Sequence, residues 1–309
     1  MQDIPSHSLD DLPEPLAHLA RQHLKADERV VTWLYLPRTT RPQLRGFVAR
    51  RHRDSAQVPA RAFILTVRRA LILEDPTDDA ASMIDQQHLR GSCRLDSILM
   101  LAVRSYLLDC ALTLTAAERG AIPTLTIEYD GTIHGAFWRR IRYVRAVIDG
   151  RDPLVEMRIG AVAPNHHRGD WFQALDQEGM HWKHYVSQSL AANETVQKWL
   201  VIPTIDRRRY LHKLVRADRE YPPGLLIRSD RQVLYIKQAR RIADEGPRFG
   251  ADISLIPMVN LKQVRLIVEE GINWLELELQ RSGATVTARI PVTDELAQRS
   301  HELVAGDPA

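Results

Sequence analysis

The chain has 309 residues, 44% hydrophobic and 26% charged, with a net charge of +3. That length suffices for two cores of roughly 120–150 residues, and the composition is ordinary for a soluble globular protein, so disorder is not the default. The charge is too small to imply nucleic-acid binding, no apolar run approaches the roughly 18 residues of a membrane-spanning helix, and two cysteines, Cys93 and Cys110, exclude a disulfide framework.

The expected setting is reduced and cytoplasmic, since the opening segment MQDIPSHSLDDLPEP is acidic and unlike a secretory signal. Residues 1–150 carry 20 basic and 18 acidic side chains, and residues 151–309 carry 22 and 21, so the two halves balance. Arginine outnumbers lysine 36 to 6. Guanidinium recognition of anions and GC-rich coding bias both produce that ratio, so what matters is where the arginines cluster.

Taken in chain order, Leu9, Leu12, Leu16, Leu19 and Leu24 form an apolar stripe that predicts a helical segment over residues 1–23. The next segment, LKADERVVTWLYLP at 24–37, returns as LAANETVQKWLVIP at 190–203 with seven identities at a constant offset of 166 (190 − 24). Chance predicts roughly one match, and such self-similarity decides architecture before any local motif does. Each copy opens with a β-rich run ended by Pro37 or Pro203, because proline cannot donate to a ladder. A basic stretch follows, and then a hairpin, AFILTVRRALIL at 62–73 or LLIRSDRQVLYI at 225–236, pivoting on Arg68-Arg69 or Asp230-Arg231.

Further strands match in pairs, with Leu112 and Leu114 aligned to Leu275 and Leu277. A strand at 124–129 precedes a helix expected at about 134–148, on the spacing of Phe137, Ile141, Val144 and Ile148. Its counterpart, a strand at 284–290, precedes a helix at about 292–304 with Thr293 or Asp294 as N-cap. The domains expected are therefore a helical segment (1–23), one module (24–150), a connector with an aromatic helix (151–189), a second module (190–305) and a tail (306–309).

The fold class is mainly β with α: six or seven antiparallel strands per module, forming a barrel or sandwich, with a closing helix. The pattern Glu28-x-Val30-x-x-Trp33, the Thr66-x-x-Arg69 of FILTVRRALIL and the run IPMVNLKQV resemble the bacterial PH-like and GRAM-like branch of the pleckstrin-homology superfamily, in two tandem copies. Arg228 is aligned with Thr66, and Pro257 with Arg94. The resemblance implies a binding module, with the loop after the first strand beside an open end that receives acidic headgroups.

That loop is basic in both copies. The candidate anion-binding residues are Arg38, Arg41, Arg45, Arg50, Arg51 and Arg53 in the first, and Arg207, Arg208, Arg209, Lys213 and Arg216 in the second. Guanidinium donors bind two phosphate oxygens at once, whereas the same charges also serve to keep a sheet edge soluble. Trp171, Phe172, Trp182 and Tyr185 of the connector are candidate partner-binding residues, because an exposed aromatic helix asks for cover. Trp33 and Trp199 recur with the module and read as core or junction residues, while Cys93 and Cys110 read as buried packing on neighbouring strands.

The histidines His166, His167, His181 and His184 lack metal-site spacing, and no phosphate loop, zincin or nucleophile-elbow motif occurs. No cofactor, metal or catalytic residue is therefore expected. The reading is a non-catalytic binding or scaffold protein for a protein partner or a second copy, and for an anionic membrane or phosphate surface peripheral to the inner face of the membrane. An enzyme with an interdomain cleft using the connector histidines is the alternative.

Overall fold

The computed structural model describes residues 8–42, 55–75, 89–106, 109–118, 120–158, 170–178, 180–191, 193–207, 219–239 and 250–306. It is mainly β, with antiparallel sheets, and divides into two compact units, Met1–Leu95 and Asp96–Ala309.

In the first unit a 3₁₀ turn, Leu9–Asp11, leads through Pro13 into α1 (Glu14–His23), with Pro15 in the first turn where no amide is missed. The strands are β1 (Val30–Leu36), β2 (Thr39–Pro42), β3 (Ser55–Val58), β4 (Arg61–Thr66), β5 (Arg69–Glu74) and β6 (Leu89–Arg94). The order β1-β4-β5-β6 makes one sheet, and β2-β3 is a separate hairpin. The apolar stripe foreseen at the N-terminus seats Leu12, Leu16 and Leu19 on Ala62, Ile64, Leu71 and Leu73 of the sheet.

The second unit contains β7 (Ile98–Tyr106), β8 (Asp109–Ala116), β9 (Thr124–Asp130), α2 (His134–Ile148), α3 (Pro153–Arg158), α4 (Asp170–Glu178) and α5 (Met180–Ser189). It continues with β10 (Val196–Ile202), β11 (Ile205–Arg207), β12 (Arg219–Tyr221), β13 (Gly224–Ser229), β14 (Gln232–Gln238), β15 (Ala251–Pro257), β16 (Leu261–Glu269), β17 (Ile272–Arg281), β18 (Ala284–Val292) and α6 (Asp294–Ala305). Seven strands form one sheet in the order β10-β13-β14-β15-β7-β8-β9, β16-β17-β18 form another, and β11-β12 is a hairpin.

The element order recurs in detail. Helices α1 and α5 both stand immediately before a first strand. Bulges interrupt β1/β4 between Val30 and Thr32 and β10/β13 between Val196 and Lys198. They also interrupt β7/β8 between Ile98 and Met100 and β16/β17 between Leu261 and Gln263. Each first sheet passes to the next strand through a 3₁₀ turn, Leu95–Ser97 or Met258–Asn260. Leu101 pairs with Leu114 as Val264 pairs with Leu277, which makes Leu112 and Leu275 equivalent positions of the repeat.

Several expectations are corrected. No sheet among the described residues closes into a barrel; β10 and β18 end their sheets, with α6 beside β10. The register equates Thr66 with Ser229, not Arg228, because Val30 faces Thr66 and Val196 faces Ser229. Cys93 lies on β6 and Cys110 on β8, buried in different sheets rather than on neighbouring strands. Trp33 and Trp199 are half-buried, not core, since each sits on a strand that, among the described residues, ends its sheet and has strand neighbours on one side.

The seam between the sequence repeats is the β7–β15 pairing, in which Ala251 faces Ser105 and Leu255 faces Leu101. Gly250 (φ +151°) makes it possible: a Cβ there would stand 2.3 Å from the Ser105 carbonyl oxygen. The core beneath β10 and β13–β15 joins Leu226, Val233 and Ile256 to Leu275 and Ile290 of the three-stranded sheet and Leu303 and Val304 of α6. Glu270 and Gly271, both at positive φ, form the tight turn between β16 and β17.

Candidate functional site

Each repeat opens on a carboxylate clasped by the turn of its first hairpin. Glu28 Oε1 accepts from the Thr66 hydroxyl at 2.7 Å and from Arg69 Nε at 2.9 Å. Thr66 Oγ1 accepts the amides of Arg68 and Arg69 at 3.1 and 2.8 Å. In the second repeat Glu194 Oε1 accepts from the Ser229 hydroxyl at 2.6 Å, and Ser229 Oγ accepts the amides of Arg231 and Gln232 at 3.1 and 3.0 Å. The flanks match too: Arg68 donates to Asp27 and Arg231 to Asn193, both at 2.8 Å.

The counter-charge differs. Arg69 supplies it locally in the first repeat, and its hydrogen bonds hold the Glu28 carboxyl well below the usual range, at about 2, against the opposing effect of burial. The second repeat has Gln232 at that position, and Arg145 of α2 takes over. Its guanidinium donates to Glu194 Oε2 at 2.6 Å and to the Ser189 carbonyl at 2.5 Å, with both side chains almost wholly buried. Burial pushes the Glu194 carboxyl up, but Arg145, the Ala191 amide and the Ser229 hydroxyl outweigh it and the net shift is downward. These carboxylates anchor strands and helices.

A third polar cluster surrounds the start of α2. Trp138 Nε1 donates to His134 Nε2 at 2.7 Å, while His134 Nδ1 lies 2.9 Å from the Tyr129 hydroxyl. His134 Nε2 also lies 3.3 Å from Gln188 Oε1, but it can accept the shorter Trp138 bond only when it carries no proton, so that bond belongs to neutral imidazole. Burial lowers the His134 pKa, with Gln188 opposing and His184 adding to the effect.

Of the predicted anion-binding residues, Arg38 is exposed just after β1, Arg41 lies on β2 and Arg207 on β11. The hairpins β2-β3 and β11-β12 thus occupy the same point in each repeat. Arg45, Arg50, Arg51, Arg53, Arg208, Arg209, Lys213 and Arg216 lie outside the described residues, as do His166 and His167. In the connector, Trp182 and Phe172 are buried, whereas Trp171 and Tyr185 are half-buried. Two of the four rings are therefore spent on packing rather than presented on the surface. His184 is exposed, its ring 5.4 Å from that of Tyr185. Among the described residues no group of three or more His, Cys, Asp or Glu side chains converges as metal ligands, and no helix is long and apolar enough to cross a membrane.

Sequence reading missed a groove of about 380 Å³ that lies open between β10 and α6. Residues 197–200 form one wall, and Arg299, Glu302 and Leu303 form the other. Consecutive strand residues point to opposite faces. The lining therefore takes in residues of both faces of β10, with Leu200 on the face that packs against Leu303. Arg228, on the adjoining strand, directs Nη1 to the Leu303 carbonyl at 3.4 Å, near the C-terminal end of α6. The signal available in the sequence was the second copy of the tryptophan motif, with Lys198 beside Trp199. Comparison with protein-family models, curated proteins and solved structures returns no match.

Proposed function

We propose that this chain is a non-catalytic binding and scaffold protein, built from two tandem pleckstrin-homology-like repeats, that docks on protein partners and on anionic surfaces. The fold assignment is supported by the repeated order of six strands (four in a sheet and two in a hairpin), a 3₁₀ turn, three strands and a helix, together with the repeated bulges. The non-catalytic reading is supported by the use made of versatile side chains: Glu28, Glu194, Arg69 and Arg145 are engaged in bonds that join elements.

The observation that carries the anionic part is positional. Both repeats place a short hairpin, β2-β3 or β11-β12, between the first strand and the next strand of the sheet, and arginines belong to this segment in each. A basic side chain near an anionic leaflet contributes about 1 kcal/mol, so five or six sustain peripheral attachment.

Vesicle cosedimentation tests this. Phosphatidylserine-containing vesicles should retain the protein over neutral vesicles at low salt. Retention should weaken as the Debye length contracts from about 30 Å at 0.01 M to about 8 Å at 0.15 M. Changing Arg207, Arg208 and Arg209 together to Ser should reduce it, and adding the same change at Arg50, Arg51 and Arg53 should reduce it more than additively if both hairpins meet one surface. Equal retention on acidic and neutral vesicles at every salt concentration would refute the anionic part and leave the protein-partner part standing.

A further inference from the structure

We infer that Arg142 and Arg139, one turn apart on α2, form a binding site for a phosphate group. These residues are distinct from the basic hairpins, so the site goes beyond the anionic docking surface proposed above.

Arg142 is buried without a partner. It is 7% exposed, and among the described residues its side chain makes no ion pair or hydrogen bond. Its Nε is sealed from solvent with no acceptor. A guanidinium held away from water without a counter-charge is unfavourable, and a bound anion relieves that cost.

The carboxylates nearby are already taken. Helix α2 carries Arg139, Arg140, Arg142 and Arg145 and no acidic residue. Arg145 is spent on Glu194, at 2.6 Å, and Arg140 donates to the Ala136 carbonyl at 2.9 Å. On α3, which packs against α2, Glu156 accepts from Arg151, and Arg151 also donates to Asp149 at 2.8 Å. Arg231 Nη1 lies 3.8 Å from the same Glu156 carboxylate. Burial lowers the Arg142 pKa, the like charges of Arg145 and Arg139 add to the effect, and Glu156 opposes it. The surroundings of Arg142 are therefore short of negative charge.

Arg139 supplies the second half of the site. It is exposed and makes no ion pair or hydrogen bond among the described residues. Side chains three positions apart are neighbours on a helix, so one fork approaches from solvent and the other from the buried side. Two guanidinium groups without carboxylates match the double charge of a phosphate better than the single charge of a carboxylate, and each fork can engage two oxygens.

The experiment is isothermal titration of the full chain with inorganic phosphate at constant ionic strength, chloride being the competing anion. Saturable binding is expected. Arg139→Gln, a surface change that leaves the core intact, should weaken it roughly tenfold or more, as loss of a charge-assisted hydrogen bond does. Arg142→Met should abolish it, and Arg142→Lys, which keeps the charge but not the fork, should bind more weakly than the parent. Urea unfolding gives a second reading. Without phosphate, Arg142→Met should be at least as stable as the parent, because an unpaired buried charge is gone; phosphate should stabilise the parent and not the variant.

Absence of saturable binding, or binding indifferent to both Arg142→Met and Arg139→Gln, would overturn the inference. Loss of phosphate binding on changing Arg207, Arg208 and Arg209 to Ser, with the α2 variants unaffected, would also overturn it by assigning the phosphate to the hairpin. Vesicles of phosphatidic acid that displace inorganic phosphate identify the group as a lipid headgroup, and vesicles that do not displace it identify a free phosphate ligand; the site stands in either case. Retention of Arg142→Met on phosphatidylserine vesicles should persist, so failure of the α2 site and failure of the hairpin reading are separable.

Discussion

Glu28→Gln keeps a side chain of the same shape beside Thr66 and Arg69 but removes its charge. The Glu28 carboxyl titrates at about 2 in the folded chain against an ordinary 4.5. Between those values the unfolded chain holds a proton that the folded chain does not. Acidification therefore favours unfolding: the contribution of Glu28 is complete above pH 4.5, declines as pH falls, and is gone below about 2. At about 1.4 kcal/mol per pH unit the shift is worth about 3 kcal/mol near neutrality. Hydrogen exchange of the β4–β5 hairpin, whose turn is clasped by Glu28, reads this directly. At pH 6 the variant should exchange roughly 300-fold faster than the parent after correction for intrinsic rates, and this gap should narrow by close to two powers of ten at pH 2.5. A gap that stays constant between these pH values would show that lost packing or hydrogen bonding, and not the ion pair, accounts for the change. A gap under tenfold at pH 6 would refute the magnitude.

Arg145→Met should destabilise the second unit by about 3–5 kcal/mol in urea unfolding, because Glu194 is left buried without its counter-charge. Adding Glu194→Leu should recover part of that loss, and a double variant as weak as the sum of the two singles would contradict the pairing. His134 should titrate below 6.5 by NMR, since burial disfavours imidazolium and Trp138 donates to its Nε2. Its contribution is present above pH 6.5 and lost as pH falls through the lower folded value; a midpoint at or above 6.5 would exclude the assigned geometry.

The strongest part of the sequence reading rested on local period. Phe137, Ile141, Val144 and Ile148 share a helix face whatever surrounds them, and α2 spans His134–Ile148 as that spacing requires. The hairpins were similarly legible, although the first turns on Val67-Arg68, one residue before the expected pivot, because Arg69 already pairs with Arg94. The motif Glu28…Thr66-x-x-Arg69 was visible as letters without a role. A carboxylate and a hydroxyl 38 positions apart acquire one only when β1 and β4 bring them together.

What the chain alone determined was the repeated order of elements, since strand alternation, turn residues and helical spacing act over a few positions and both copies carry the same pattern. Tertiary structure decided which strands share a sheet, and it joined β15 to β7 across the repeat boundary through the close approach allowed at Gly250. It also decided that Arg145, indistinguishable in sequence from the other arginines, would neutralise Glu194, 49 positions away. The groove belongs to the same class: Trp199 and Arg299 are 100 residues apart, and only the docking of α6 beside an edge strand places both on one opening. Pairing between distant segments is set by competing burial and hydrogen bonding over the whole chain, and no local pattern encodes that outcome.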